Sequence, residues 1–207
     1  MKKISCIILT VAIALTSIMC NKERKTHSEK VNLTENLVSS ENDQMSKDTC
    51  MKPLSSEDSI KYISKKLLVK GDVERSLSLT VDSLKKMNVA TIENFQVVCQ
   101  SGANMKTNKT CKGVLLRDIL EKAKIKQQNH KDRNFYIVAR ATDNYKATFS
   151  WAEIFNNPTG DNVYVLFEEN GQPIKAQGEM ILICKNDIKT GARHVYWLND
   201  IEVKKVE

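Results

Sequence analysis

Histidine, proline, glycine and aromatic residues are all scarce in this 207-residue chain: three His, three Pro, seven Gly, and 6% aromatic residues. The few glycines form no phosphate-cradling loop, and the sequence contains no G-x-S-x-G elbow, no H-E-x-x-H pair and no C-x-x-C motif. These absences exclude the P-loop, serine-hydrolase, zincin and C-x-x-C redox or zinc classes. Of the three histidines, His27 lies in a polar N-terminal segment, His130 in a polar loop, and only His194 in an apolar context. A lone histidine of that kind is expected to be a hydrogen-bonded structural residue.

What is present is a chain with 41% apolar residues, enough for one ordinary core with appendages. The formal net charge of +7 falls to +5 without Lys2 and Lys3, and it is spread along the chain. No basic stripe with interleaved aromatics marks a nucleic-acid surface, so no nucleic-acid partner is expected.

The N-terminus, MKKISCIILTVAIALTSIMCNKERKT, has two lysines, an apolar run from Ile4 to Met19, and then a sharply polar segment. The run is short for a membrane span of about 20 residues and has the layout of an export signal over residues 1–19. Cys20 stands where the lipid-modified first cysteine of a bacterial lipoprotein stands, although Ser17-Ile18-Met19 is bulkier than usual there. The expectation is a cell-envelope lipoprotein facing the periplasm or the cell surface, attached to the membrane by its lipid. A conventionally cleaved signal or an uncleaved anchor is the alternative. Residues 20–53, rich in Ser, Thr, Asn, Glu and Lys, bury too little apolar surface to offset their ordering entropy and read as a flexible tether. The folded domain is expected over 54–207.

Within it, hydrophobic periodicity changes every ten to fifteen residues. Strands are expected at Lys66–Val69, Ser76–Leu79, Phe95–Cys99, Phe135–Ala139, Lys146–Phe149, Val163–Phe167, Met180–Cys184 and from Ile201. Thr80 suits the cap of a short helix, Gly113–Ala123 reads as an amphipathic helix, and Ser150 with Glu153 has capping-box spacing. Asn170-Gly171 is a tight-turn signal between the two strongest strands. Strands outnumber short helices with no strand–helix repeat, which makes the class α+β with mixed sheets.

Four cysteines remain beyond Cys6 and Cys20: Cys50, Cys99, Cys111 and Cys184, an even number for an oxidising compartment. Cys99 closes an apolar run and opens the loop of VVCQSGAN, a setting open to a metal ligand, half of a disulfide or a small buried hydrophobe. Cys99 and Cys111 flank a polar segment with a strand before it and a helix soon after, so a Cys99–Cys111 bridge is a candidate. Cys184 ends a core strand and suits a buried thiol.

The order LLVKGDV, LSLTVDSLKKM, VVCQSGAN, KGVLLRDIL, ATDNYKATFSW, VYVLFEENGQPI, QGEMILIC and GARHVYWLNDIEV resembles the molybdopterin-binding domain of the sulfite oxidase family of oxidoreductases. The resemblance covers about Leu67 to Val203 and implies that fold. It also implies a molybdopterin cofactor whose molybdenum is bound by the Cys99 thiolate, with Asn104 and Arg193 as further cofactor-binding residues and Asp143, Tyr145 and Trp197 near the pocket. As the residues stand, Asp143 also suits a turn and Trp197 the core.

Several positions depart from the family pattern. Cys111 replaces a tryptophan, and Asp143-Asn144-Tyr145 replaces D-G-Y. The histidine-glycine and proline-x-arginine run appears as Gln177-Gly178-Glu179-Met180-Ile181-Leu182, and the lysine of G-x-R-S-V-K-W-L is Tyr196. Two cations expected to hold an anionic cofactor are gone, at a cost of several kcal/mol of binding. The leader has Lys2-Lys3 where an exported, cofactor-loaded member has a twin-arginine pair. The expectation is therefore a domain that keeps the fold without its cofactor and is not an enzyme, binding a small anionic ligand or a partner protein. A genuine molybdopterin oxidoreductase of sulfite or sulfoxide type is the alternative, and a thiol–disulfide protein using Cys99 and Cys111 is the second.

Overall fold

The computed structural model describes residues 60–99, 101, 102 and 104–207, without the side chains of 104–106. The expected leader, the tether, Cys20, Cys50 and the start of the domain lie outside the described residues. Those that are described fall within one compact unit, Met45–Glu207.

Two sheets carry the fold, the first mixed and the second antiparallel in every pairing. The first is built from β1 (Leu67–Gly71), β2 (Leu77–Leu79), β5 (Phe135–Ala141), β6 (Lys146–Ser150) and β10 (Leu198–Lys205), in the order β2-β1-β10-β5-β6. Only β1 and β10 run parallel in it. The second contains β3 (Val89–Val98), β4 (Asn104–Leu115) and β7 (Val163–Glu169), with the two-residue β8 (Gln172–Pro173) and β9 (Ile181–Cys184) both paired to β7. Among the described residues three short helices join them: α1 (Val81–Lys85), α2 (Leu116–Ala123) and α3 (Trp151–Phe155), with 3-10 turns at Pro158–Asn162 and Thr190–Arg193. This is the expected α+β class, with parallel and antiparallel pairing mixed in the first sheet.

Period-two alternation explains how the second sheet is buried on both faces. In β7, Val163, Val165 and Phe167 join the main core, which is shared with Leu67, Val69, Ile137, Phe149 and Ile201 of the first sheet. Leu166, facing the other way, joins a smaller cluster with Ile92, Phe95, Cys111, Ile181 and Ile183. Helix α2 buries Leu116, Ile119, Leu120 and Ala123 on one stripe. The Thr80 cap and the Ser150–Glu153 capping box both form as expected.

Three details differ from the sequence expectations. After a tight turn at Ser101-Gly102, most of the segment between Cys99 and Cys111 is no loop but the twelve-residue β4, whose backbone pairs with β3 and β7. Consequently α2 starts at Leu116, and Gly113 belongs to the strand. The Asn170-Gly171 turn, with φ of 50° and 75°, folds β7 onto β8 and not onto β9.

The hairpin register also overturns the Cys99–Cys111 bridge. Val98 lies opposite Asn104 while Cys111 lies opposite Ile92, so the two cysteines sit toward opposite ends of a ladder, about 20 Å apart at a rise of roughly 3.3 Å per residue. Cys111 is a free, buried thiol. A thiol–disulfide cycle between these two residues is excluded on the same ground.

Gly113 is required by close approach: a Cβ there would stand 2.4 Å from the Val165 carbonyl oxygen. Gly113→Ala is predicted to cost about 1–3 kcal/mol through overpacking. In urea unfolding the midpoint should fall with an unchanged m-value.

Candidate functional site

Three of the residues singled out in the sequence, Cys99, Tyr145 and Arg193, meet at the 3-10 turn Thr190–Arg193, which lies between β3 of one sheet and α3 at the edge of the other. Thr190 clips the turn to β3: its hydroxyl accepts from the Val98 amide (2.8 Å) and donates to the Gln96 carbonyl (3.1 Å). Gly191 then passes so close that a Cβ there would lie 3.2 Å from the Val98 oxygen and 3.5 Å from the Cys99 Cα. Cys99 is thereby covered, at 4% exposure.

At the other end of the turn, Arg193 is fully engaged. Its Nε donates to Asp187 Oδ2 at 2.8 Å, its Nη2 to Asp187 Oδ1, and its Nη1 to Glu153 Oε1 at 2.9 Å. The guanidinium also lies over the Phe149 ring, 4.5 Å from the centroid. Glu153 is held by its other oxygen, which accepts from the Ser150 backbone amide as half of the α3 capping box. One cation thus faces two carboxylates. The hydrogen bonds that Arg193 donates to Asp187 raise the Arg193 pKa against the opposing effect of burial, and Glu153 adds to the rise. Burial works to raise the Asp187 carboxyl, but the Arg193 and Cys184 hydrogen bonds outweigh it and hold that carboxyl below its usual range. Glu153 is lowered too, burial being outweighed by the Ser150 amide and Arg193.

Cys184 completes the network, donating from Sγ to Asn186 Oδ1 and Asp187 Oδ1 at 3.2 Å each. Burial, reinforced by Asp187, pushes its thiol up to about 12, and burial with the Glu169 charge pushes Cys111 to about 11. Neither supplies a thiolate at neutral pH.

The remaining sequence candidates sit in a local turn, in packing contacts and in strand pairing. Asp143 Oδ1 accepts from the Tyr145 amide at 2.9 Å, closing the turn that Asn144 makes at φ 73°. Asparagine tolerates that conformation, which explains why it can stand where the family has glycine. Tyr145 donates its hydroxyl to the Ala192 carbonyl (2.8 Å), bracing the turn from a third side. Trp197 is buried, and its amide donates to the Gln177 carbonyl at 2.7 Å. Asn104 opens β4 opposite Val98 through its backbone. His194 is packed between Phe95 and Tyr196, with ring centroids 5.9 and 4.3 Å away. Neither of its ring nitrogens has a hydrogen-bond partner among the described residues, which differs from the hydrogen-bonded histidine expected from the sequence. Sequence reasoning missed Thr190 and Asp187 as site residues, and it read Glu153 only as a cap.

A family model for the oxidoreductase molybdopterin binding domain matches residues 57–207. The chain belongs to that family. Among solved structures, the sulfane dehydrogenase SoxCD from Paracoccus pantotrophus is similar in fold, with a TM-score of 0.52 and 20% identity over 74% of this chain and 40% of that one. The chain therefore spans about two fifths of the length of that structure's chain. No curated protein matches the chain.

The residues at the family's cofactor position do not fit the group. The Cys99 sulfur is in a disulfide, and a disulfide sulfur is not the anionic thiolate that a soft metal binds. Arg193 is already compensated twice over within the protein. Gly178, at φ 91°, faces Trp197, whose Cα would lie 2.8 Å from a Cβ added there, so its lack of a side chain serves backbone packing.

Two predictions follow from the charges. Burial first, and the Lys109 charge second, push the His194 pKa down to about 3, while an unfolded histidine titrates near 6.5. Protons therefore favour the unfolded chain, and stability should fall as pH drops below about 6.5, approaching about 1.4 kcal/mol per pH unit. His194→Phe, which keeps the ring contacts, should flatten that slope in urea midpoints measured from pH 7 to 5. Separately, Asp187→Asn should cost on the order of 1–2 kcal/mol at pH 7. Because the Asp187 carboxyl is lowered in the fold, that contribution is present above the ordinary carboxylate range. It is lost as pH falls through the lowered value, so variant and parent should converge in acid.

Proposed function

We propose that the chain is an exported, lipid-anchored member of the family that retains the fold without molybdopterin and works as a binding domain, with a partner protein as its favoured occupant. The observation that carries this reading is the double neutralisation of Arg193 by Asp187 and Glu153. A dianionic pterin phosphate, or any small anion, needs an uncompensated donor in a partly buried site, and here one cation already faces two carboxylates. The losses at Leu182 and Tyr196 act in the same direction. Export and lipidation rest on the Ile4–Met19 run and on Cys20.

The family match over residues 57–207 favours a second reading: a molybdopterin oxidoreductase acting on a small oxygen-accepting substrate such as sulfite or a sulfoxide. Molybdenum and pterin content of the full chain, purified from the envelope fraction of its own host, separates the two. Molybdenum far below one atom per chain, with no pterin fluorescence, is expected. Near-stoichiometric molybdenum with pterin establishes the second reading and ends the first.

A further inference from the structure

Cys99 is disulfide-bonded, while Cys111 and Cys184 are free, so its partner is one of the three N-terminal cysteines Cys6, Cys20 and Cys50. We infer that the family's metal-ligand cysteine has been converted into half of a structural disulfide with Cys50, which staples the incoming N-terminal segment beside the 190–193 turn. Cys50 is the one of the three nearest in sequence to the described domain, ten residues before Ile60. Cys6 lies within the apolar leader run and Cys20 at its end.

The geometry of chain entry supports the pairing. Tyr62, near the start of the described residues, is fixed in place: its carbonyl accepts from the Thr142 hydroxyl and its ring packs on Trp197 at 5.6 Å. From Trp197 the ring contacts continue to Tyr196 (5.9 Å), His194 (4.3 Å) and Phe95 (5.9 Å). Phe95 stands on β3 four residues before Cys99. A row of aromatic contacts thus connects Tyr62, near the start of the described residues, to β3, which ends at Val98 just before Cys99. The twelve residues from Cys50 to Tyr62 span up to about 40 Å when extended, enough to reach it.

Burial makes the bond a staple and not an exchanging pair. Exchange needs a thiolate to reach a disulfide sulfur, and Cys99, 4% exposed, lies beneath Gly191. Formation balances as ordinary exchange in an oxidising compartment. Each thiol gives up one proton and one electron, and both electrons pass to a disulfide-bearing oxidoreductase, which leaves as the dithiol. In this respect the inference rests on the export proposed above.

The test is non-reducing peptide mapping of the full chain, isolated from envelopes with its free thiols blocked by N-ethylmaleimide under denaturing conditions. A Cys50–Cys99 linked peptide, with label on Cys111 and Cys184, is expected. Label on Cys99, or its linkage to another residue, overturns the pairing. For the structural role, the native protein in millimolar dithiothreitol should keep the bond for hours and lose it on addition of denaturant, whereas loss within minutes under native conditions overturns that role. Cys50→Ser should make Cys99 labelable and lower the melting temperature; a variant with an unlabelled Cys99 contradicts the pairing. A labelled Cys99 in wild-type protein that lacks molybdenum sinks this inference alone and leaves the cofactor-free reading standing.

Discussion

The Arg193 guanidinium is the contact on which the arrangement of the site depends. It reaches from the 3-10 turn to Asp187 within the same loop and to Glu153 on α3, so one side chain ties the loop, the helix and, through Thr190, the end of β3. Planarity matters for this role: a guanidinium presents two parallel donors to one carboxylate and a third to another, which an ammonium group cannot do in fixed geometry. With side-chain exposures of 21% for Arg193 and 17% for Asp187, the pair is screened far less than a surface bridge. The more exposed Glu153 contributes less.

That internal use of the cation separates fold from function. The family's scaffold survives because the sheets are held by Val, Ile, Leu and Phe alternation and by backbone ladders, none of which requires the cofactor. Of the positions to which the family resemblance gives a cofactor role, Cys99 is in a disulfide and Arg193 faces two carboxylates.

Much of this was legible in the sequence. The strongly apolar strands β7 and β9, the Thr80 cap and the Ser150–Glu153 box announce themselves through local patterns, and the ordered set of motifs implied the family. What could not be read was non-local. Strand β4 is polar because its outer half is held by hydrogen bonds and not by burial, so periodicity hides it, and with it the register that keeps Cys99 from Cys111. The partners of Arg193 lie 6 and 40 residues away on different elements, and no spacing rule connects them. Thr190 reveals its role only when the turn is seen against β3.

The central claim is that the charge of Arg193 is spent inside the protein. Calorimetric titration of inorganic phosphate into the full chain at low ionic strength tests it most directly. No saturable binding is predicted at millimolar phosphate for the wild-type chain or for Arg193→Gln. Saturable binding to the wild-type protein that Arg193→Gln abolishes, with Asp187 and Glu153 intact, would contradict the account.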